Sequence, residues 1–167
     1  MSNGGLFSNL NDLALSFSDD RGTVSILYES DGMVLKRSSS KKGVFRGLHR
    51  QVAPVLQTKI IRIISGKIID FIARPEDPDE VIWYSEITSK DEWVFIDSCF
   101  AHGFYAVEDV EFEYICEGRY VDSLEATYRV DDIVKQELGI IHMVMSEKDL
   151  AGQQFGKSLR AHEKNLK

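Results

Sequence analysis

Short stretches of alternating apolar and polar residues fill the middle of this chain and constrain its fold more than any other feature. Alternation with a period of two residues is typical of strands whose two faces differ. The stretches are rich in Ile, Val, Phe and Tyr and are separated by turn residues. We predict strands at Thr23–Tyr28, Gly43–Leu48, Lys59–Ile64, Lys67–Ala73, Val81–Ile87, Trp93–Ile96, Gly103–Val107 and Glu111–Cys116. Many short, evenly spaced strands indicate a sandwich or a closed barrel.

The remaining local signals concern turns and helices. Ser65-Gly66, between two predicted strands, is typical of a tight hairpin turn. Helical periodicity appears around Leu10–Phe17 and from Glu147 onward, and the tail from Ala151 is consistent with a solvated helix. The sequence therefore predicts one domain over residues 1–167, of all-β class with short terminal helices.

Composition limits the compartment and the classes of partner. The chain is 43% hydrophobic and 28% charged, as in an ordinary globular protein. It contains no apolar run of the roughly 18 to 20 residues that a membrane helix needs, and its N-terminus lacks the pattern of a signal peptide. Cys99 and Cys116 have neither a disulfide framework nor a zinc spacing, so we expect a reduced, cytoplasmic setting. The net charge of -7 argues against nucleic acid as a partner.

Positive charge is nevertheless concentrated in one segment. Residues 36–74 contain ten Lys or Arg and a single acid, Asp70. The segment includes GVFRGLHRQ at 43–51, which puts Arg46, His49 and Arg50 into one predicted strand. A solvated strand face would explain these charges, and so would a pocket that attracts a small anion. Strict alternation places Arg46 and His49 on opposite faces, so both could reach one pocket only if Gly47 marks a bulge.

The four histidines give weak metal signals. His49 is followed two residues later by Gln51 instead of a second histidine, so a metal site of the His-x-His type is poorly supported. His162 lies in a Lys-rich tail and is interpreted as a surface residue. His142 follows an apolar run and is interpreted as structural. His102 begins an apolar strand and gains interest only when it is read together with the segment around His49.

Taken together, five blocks of sequence resemble the dTDP-4-dehydrorhamnose 3,5-epimerase family, nucleotide-sugar epimerases of cupin (jelly-roll) fold. The strongest block, SSSKKGVFRGLHRQ at 38–51, is similar to the family pattern S-x-S-x-x-G-V-L-R-G-L-H-x-Q. This block continues in register through Gln51-Val-Ala-Pro54, Gln57-Thr-Lys59 and Arg62 to Gly66. The other four are Asp20-Arg-Gly22, Phe100-Ala-His-Gly-Phe104, the Tyr114 and Tyr120 positions, and Ser146-Glu-Lys-Asp149. The resemblance implies a cupin, or double-stranded β-helix, barrel.

The resemblance also implies proton chemistry beside a sugar ketone, without a cofactor or a metal. His49 would be the base and Tyr114 the acid on the opposite face of the sugar. Lys59 and His102 would face the developing enolate oxygen. Arg46 and Gln51 would hold the sugar and its diphosphate. The substrate would be a nucleotide-linked 4-keto-6-deoxy sugar, with dTDP as the expected nucleotide, that is inverted at carbon 3, carbon 5 or both.

The carboxylate that should support the base is less clearly marked. Asp132 aligns with a family aspartate, with Asp131 as the alternative, but Ile133 and Val130 stand where the family usually has proline and tryptophan. Directly after His49, Arg50 stands where the family usually has an aromatic residue.

Family members are usually homodimers in which the arginine of the D-x-R-G motif reaches toward the partner, and this makes Arg21 a candidate nucleotide contact.

Three other functions remain open at this point. A cupin-type sugar 3,4-ketoisomerase would also fit residues 20–27, although such enzymes usually carry a histidine pair where this chain has His49-Arg50-Gln51. A non-catalytic nucleotide-sugar-binding cupin would have kept the pocket without the chemistry. A metal-dependent cupin oxygenase is the least supported of the three.

Overall fold

A computed structural model of the chain describes residues 9–163. Within these residues the helices are α1 (Leu10–Leu13), α2 (Asp131–Leu138) and α3 (Glu147–Leu150), and a short 3-10 turn spans Asp122–Leu124. The strands are β1 (Leu15–Asp19), β2 (Gly22–Ser30), β3 (Met33–Ser40), β4 (Phe45–Gln51), β5 (Thr58–Ser65), β6 (Lys67–Ala73), β7 (Val81–Thr88), β8 (Val94–Ile96), β9 (Ala101–Ala106), β10 (Val110–Glu117), β11 (Glu125–Arg129), β12 (Gln153–Gln154) and β13 (Ser158–Ala161).

The strands form two curled, mainly antiparallel sheets. The first sheet has the order β1-β2-β3-β10-β5-β8, and the second has the order β12-β11-β4-β9-β6-β7-β13. Among the named strands of residues 9–163, β12 pairs in parallel with β11 and β13 with β7, and the other pairs are antiparallel. The predicted all-β class with short helices is confirmed, and each of the eight predicted runs overlaps a strand.

The second sheet is buried on both faces. Its inner face contributes Ile68, Phe104 and Ala106 to a core shared with the first sheet. Its outer face contributes residues such as Phe45 and Phe71 to a second core, which also contains side chains of α2 and the C-terminal segment. Full burial of a side chain of this size stabilises the fold by about 2 to 3 kcal/mol. The second sheet is therefore the middle layer of the described fold, between the two cores.

A bulge interrupts β4 at Gly47 and Leu48. Arg46 pairs with Phe104 of β9 and His49 pairs with His102, so two residues of β4 lie opposite the single residue Gly103. Gly47 has a φ of +106°, and a Cβ atom there would lie 2.7 Å from the Gly103 Cα. The bulge brings Arg46 and His49 to the same face of the sheet, as the sequence predicts.

Two local predictions are wrong. Ser65-Gly66 does not close a hairpin, because β5 belongs to the first sheet and β6 to the second. Gly66 instead turns the chain from one sheet to the other, in close contact with the Asp109 carbonyl. The described part of the tail, residues 152–163, is not helical, since Ser158–Ala161 adds a strand to the second sheet.

At the N-terminus, the helical pattern holds only for Leu10–Leu13, after which β1 begins. The prediction of one domain over residues 1–167 extends beyond the described residues. Among residues 9–163, none of the helices is long and apolar enough to cross a membrane.

Candidate active site

A cavity of about 290 Å³ lies between the two sheets and collects most of the predicted site residues. Strands of both sheets, the turn between β1 and β2, and α3 with the residue that precedes it supply its walls. Its apolar lining includes Val24, Ile61, Phe104 and Phe112, and its polar lining comprises Arg21, Ser38, Arg46, His49, Lys59, His102, Tyr114, Ser146, Lys148 and Asp149. Six of the eight predicted residues line it, whereas Gln51 and Asp132 do not.

His49 forms a short hydrogen bond with a buried carboxylate. Its Nε2 atom lies 2.6 Å from Oδ1 of Asp149, whose side chain is 2% exposed. Burial alone would raise the pKa of Asp149, but the hydrogen bond and charge of His49, a hydrogen bond from Ser146 and the charge of Arg21 lower this pKa below its ordinary value. Asp149 is thus an acceptor only, so Nε2 of His49 donates to it, and in the neutral form of the imidazole the lone pair lies on Nδ1.

This geometry corrects the prediction that Asp132 or Asp131 supports the base. Asp132 lies in the first turn of α2 with a 64% exposed side chain, 3.9 Å from Arg129. Asp131 is buried but pairs with Arg129 and Lys135. Both residues start a helix that packs on the outer face of the second sheet, so neither contacts His49.

A second imidazole–carboxylate pair lies beside the first. His102, on the neighbouring strand, has its Nε2 atom 2.6 Å from Oδ1 of Asp70 on β6. Both side chains are at most 10% exposed. Because His49 and His102 are direct partners across β4 and β9, the two imidazoles enter the cavity side by side.

The first sheet contributes Lys59 and Tyr114 from the adjacent strands β5 and β10. The Lys59 ammonium lies 3.4 Å from the His49 carbonyl oxygen, to which it donates. Burial lowers the pKa of Lys59 below its ordinary value. Burial also raises the pKa of Tyr114, so its phenol keeps its proton at neutral pH. The cavity thus brings together a buried amine, a proton donor and an imidazole.

Two arginines add positive charge to the same cavity. Arg46 donates from Nε to the Ser40 hydroxyl at 3.0 Å. Arg21, which was predicted to act across an interface, lines the cavity of its own chain, with Nη1 4.0 Å from Oδ2 of Asp149. Its position at the turn between β1 and β2 follows from a hydrogen bond of its backbone N–H to Asp19.

The other polar residues of β4 point elsewhere. Gln51, predicted as a substrate ligand, is buried, and its Oε1 atom accepts a hydrogen bond from the Val121 backbone N–H at 2.8 Å. It therefore holds the loop that follows β10. Arg50 donates from Nη1 to Glu76 at 2.6 Å, so it ties β4 to the loop between β6 and β7.

Sequence reasoning missed Asp149 and its neighbours Ser146 and Lys148 as site residues. The signal was present, because Ser146-Glu-Lys-Asp149 is one of the five blocks of the resemblance. Ser146 caps α3 by accepting a hydrogen bond from the Asp149 backbone N–H at 3.0 Å, and a cap of this kind also occurs in helices without any catalytic role. Across residues 9–163, no group of three or more His, Cys, Asp or Glu side chains could hold a metal ion.

Comparison with known proteins gives a consistent result. A family model described as dTDP-4-dehydrorhamnose 3,5-epimerase matches residues 14–157. The chain is 32% identical over 124 residues to the dTDP-4-dehydrorhamnose 3,5-epimerase of Shigella flexneri, covering 71% of this chain and 68% of that protein. It is 27% identical over 154 residues to the protein of the same description from Streptomyces griseus, covering 80% and 76%.

Solved structures extend the likeness to three dimensions. The dTDP-4-dehydrorhamnose 3,5-epimerase from Sulfolobus tokodaii aligns with a TM-score of 0.63 at 29% identity, covering 83% of this chain and 85% of that one. An epimerase structure from Legionella pneumophila, in complex with dTDP-4-keto-L-rhamnose, aligns with a TM-score of 0.60 at 23% identity, covering 84% of each chain. The predicted cupin fold is confirmed by these alignments.

Proposed function

Since the chain belongs to the dTDP-4-dehydrorhamnose 3,5-epimerase family, a family of isomerases of deoxysugar biosynthesis, we propose that its cavity epimerises a nucleotide-linked 4-keto-6-deoxy sugar. The substrate we favour is a dTDP sugar, inverted at carbon 3, carbon 5 or both. The observation that carries this proposal is the His49–Asp149 pair, which shares one cavity with Lys59 and Tyr114.

The first step is removal of a proton from carbon. Hydrogens on the carbons that flank a ketone are acidic because the electrons left behind form an enolate. Nδ1 of His49 takes the proton, the C–H bond breaks, and its electron pair moves to the ketone oxygen. Asp149 stabilises the imidazolium that forms, in the manner of the aspartate in a hydrolase triad.

Stabilisation of the enolate oxygen falls to Lys59 and His102. A fixed ammonium and a fixed imidazole act strongly on developing charge in a cavity with little water. The Asp70 carboxylate holds His102 by its Nε2 atom, so the ring keeps one orientation. Burial makes the charged form of Lys59 costly, and the negative charge of an enolate beside it offsets this desolvation cost.

Return of a proton to carbon completes the inversion. Tyr114 donates its phenolic proton to the face of the sugar opposite His49, and the enolate electrons form the new C–H bond. The phenolate then regains a proton from solvent, and the His49 imidazolium releases to solvent the proton that it took from carbon. Arg46 supplies forked donors for the diphosphate, for which guanidinium is well suited, whereas the Arg21 guanidinium is already paired with Asp19.

Exchange of substrate protons with solvent tests this function. A dTDP-4-keto-6-deoxyhexose incubated with the protein in heavy water should gain deuterium at carbon 3, carbon 5 or both, as followed by NMR. Absence of exchange with every 4-keto nucleotide sugar tried would contradict the proposal. Migration of the keto group to carbon 3 would instead select a 3,4-ketoisomerase.

We further propose that two copies of the chain form a dimer through β1. All five residues of this edge strand are exposed, among them Leu15 and Phe17 with exposed fractions of 59% and 58%. Exposed edge strands with apolar side chains favour pairing with another chain. Light scattering should give the mass of a dimer, and Phe17→Glu should reduce it to that of one chain.

The free thiols of Cys99 and Cys116 are consistent with a reduced, cytoplasmic setting.

A further inference from the structure

The turn that carries Asp149 is short and needs support from outside itself. Helix α3 has four residues, and a helix of that length is not stable alone. Backbone contacts anchor both of its flanks: Val144 bridges to Val44 before it, and β12 pairs with β11 after it. These contacts fix the two ends of the segment. The rotation of α3 about its own axis must be fixed by contacts of its side chains.

Lys148 makes the side-chain contact that could set this rotation. Its Nζ atom lies 2.6 Å from Oε1 of Glu125, whose side chain is only 12% exposed. Lys148 and Asp149 are adjacent on α3, so their side chains leave the helix about 100° apart. The Lys148 side chain therefore contacts Glu125 of β11, while the Asp149 side chain contacts His49.

The Lys148–Glu125 ion pair completes a closed series of contacts around His49 and Asp149. Glu125 is the first residue of β11, and it pairs with Gln51 of β4. Two residues further along the same strands, Thr127 pairs with His49. Strand β11 thus fixes the positions of both members of the catalytic pair. It holds the imidazole through strand pairing and the carboxylate through Lys148.

We propose that the Lys148–Glu125 ion pair is a positioning device that holds Asp149 in hydrogen-bonding contact with His49, an inference that rests on the function proposed above for that pair. The ion pair lies at the wall of the cavity, where Lys148 also lines the substrate space. Loss of the pair lets α3 turn, lengthens the His49–Asp149 hydrogen bond and slows proton removal.

A different use of Lys148, as a ligand of the substrate diphosphate, is less consistent with its surroundings. The ammonium is already engaged by Glu125, and Asp122 lies 3.8 Å away. Two carboxylates on one ammonium disfavour the approach of an anion. The hydrogen bond from Lys148 to Glu125 also raises the pKa of Lys148, as expected for a stable pair.

Four variants separate these two roles. Glu125→Gln and Lys148→Met should each lower kcat roughly tenfold, since small displacements of catalytic groups are costly, while KM changes by less than about twofold. The double variant should be no slower than either single variant, because both remove one interaction. Lys148→Arg, which keeps the pair, should recover most of the activity. Lys157→Met, which removes the Lys157–Glu80 pair elsewhere on the chain, is the matched control and should leave kcat unchanged.

A readout independent of activity completes the test. The His49 ring proton held by Asp149 should give a low-field proton NMR signal that broadens or moves in Glu125→Gln and is restored in Lys148→Arg. Glu125→Gln with a lower KM and an unchanged kcat would identify Lys148 as a substrate ligand and overturn the inference. Unchanged kcat and an unchanged His49 signal in both single variants would also overturn it. If the unaltered protein exchanges no substrate protons, the proposed function fails, but the NMR signal still tests the positioning role.

Discussion

His49 and Asp149 are separated by 100 residues of sequence, yet Nε2 of one lies 2.6 Å from Oδ1 of the other. The imidazole belongs to a central strand of the second sheet, whereas the carboxylate belongs to a single helical turn near the end of the chain. The pair exists only when both parts of the fold are in place. Each of the following expectations depends on that arrangement or on the walls around it.

Two isosteric aspartate substitutions distinguish the observed partner of His49 from the predicted one. Asp149→Asn should lower the rate of substrate deuteration by 10²- to 10⁴-fold, because the amide cannot stabilise the imidazolium. Asp132→Asn should leave the rate within about twofold, because its side chain is exposed on the far side of the second sheet. Equal losses in the two variants, measured by NMR in heavy water, would contradict the assignment.

Tyr114→Phe should separate proton removal from inversion. The ring keeps its tilted contact with Phe112, with centroids 5.5 Å apart, so the fold should be preserved. Without the phenolic proton, net inversion should slow by roughly 10²-fold, while deuterium exchange on the His49 side persists. Comparison of the rates of deuteration and product formation checks this. Parallel loss of both rates would show that Tyr114 is not the acid.

Lys59→Met should stabilise the fold while abolishing activity. The pKa of Lys59 is lowered by burial, so its charged form is less favourable in the folded state than in the unfolded state. Removal of that charge should raise the free energy of unfolding by about 1 kcal/mol at neutral pH. The gain in unfolding free energy of Lys59→Met over the native chain should shrink as pH rises from the folded-state pKa of Lys59 toward its unfolded-state pKa, because the lysine of the native chain then loses its proton. Urea denaturation across this range measures the difference.

The carboxylate of Asp149 should give the opposite pH dependence. Its folded pKa lies below the ordinary value of 3.8, so its contribution to stability is fully present above that value. The contribution is lost as pH falls through the lowered pKa. The difference in unfolding free energy between the native chain and Asp149→Asn should therefore narrow in strongly acidic buffer. A difference that stays constant from neutral pH downward would show that the pKa is not lowered.

Gly47→Ala should be among the most destabilising single substitutions in β4. The added Cβ atom would lie 2.7 Å from two backbone atoms of β9 while φ stays at +106°. We expect a loss of about 3 kcal/mol in thermal or chemical denaturation. Gly32→Ala is the matched control, with a φ of +79° but no atom within 4 Å, and should cost about 1 kcal/mol. Similar losses at both positions would mean that backbone conformation alone determines the effect.

Alternation predicted the strands well where both faces carry a clear signal. Lys67–Ala73 is a strand over the predicted residues because its apolar side chains fill two cores. Met33–Ser40 was missed, since three consecutive serines and two cations hide a strand whose inward face lines a polar cavity. The Ser65-Gly66 hairpin was wrong because local sequence does not tell whether a turn joins neighbours or crosses between sheets.

The candidate site was predicted where the chemistry is local to a motif. His49, Lys59, His102 and Tyr114 meet in one cavity, as the resemblance implied. Asp149 was passed over because Asp132 matched a family aspartate, and sequence position does not show on which face of a sheet a helix packs. Gln51 shares the strand of His49 but lies beyond the cavity, where it binds the backbone of Val121.

Burial of the second sheet on both faces has a consequence for how the enzyme could acquire a different substrate. His49, His102 and Asp70 all belong to this sheet, and a larger or smaller neighbour there would disturb two cores at once. The first sheet presents charged side chains such as Arg37 and Glu111 to water on its outer face. It can therefore accommodate changes at Val24 or Ser38 on the inner face. Divergence in sugar preference should accumulate on that wall of the cavity, while the wall with the histidines stays the same.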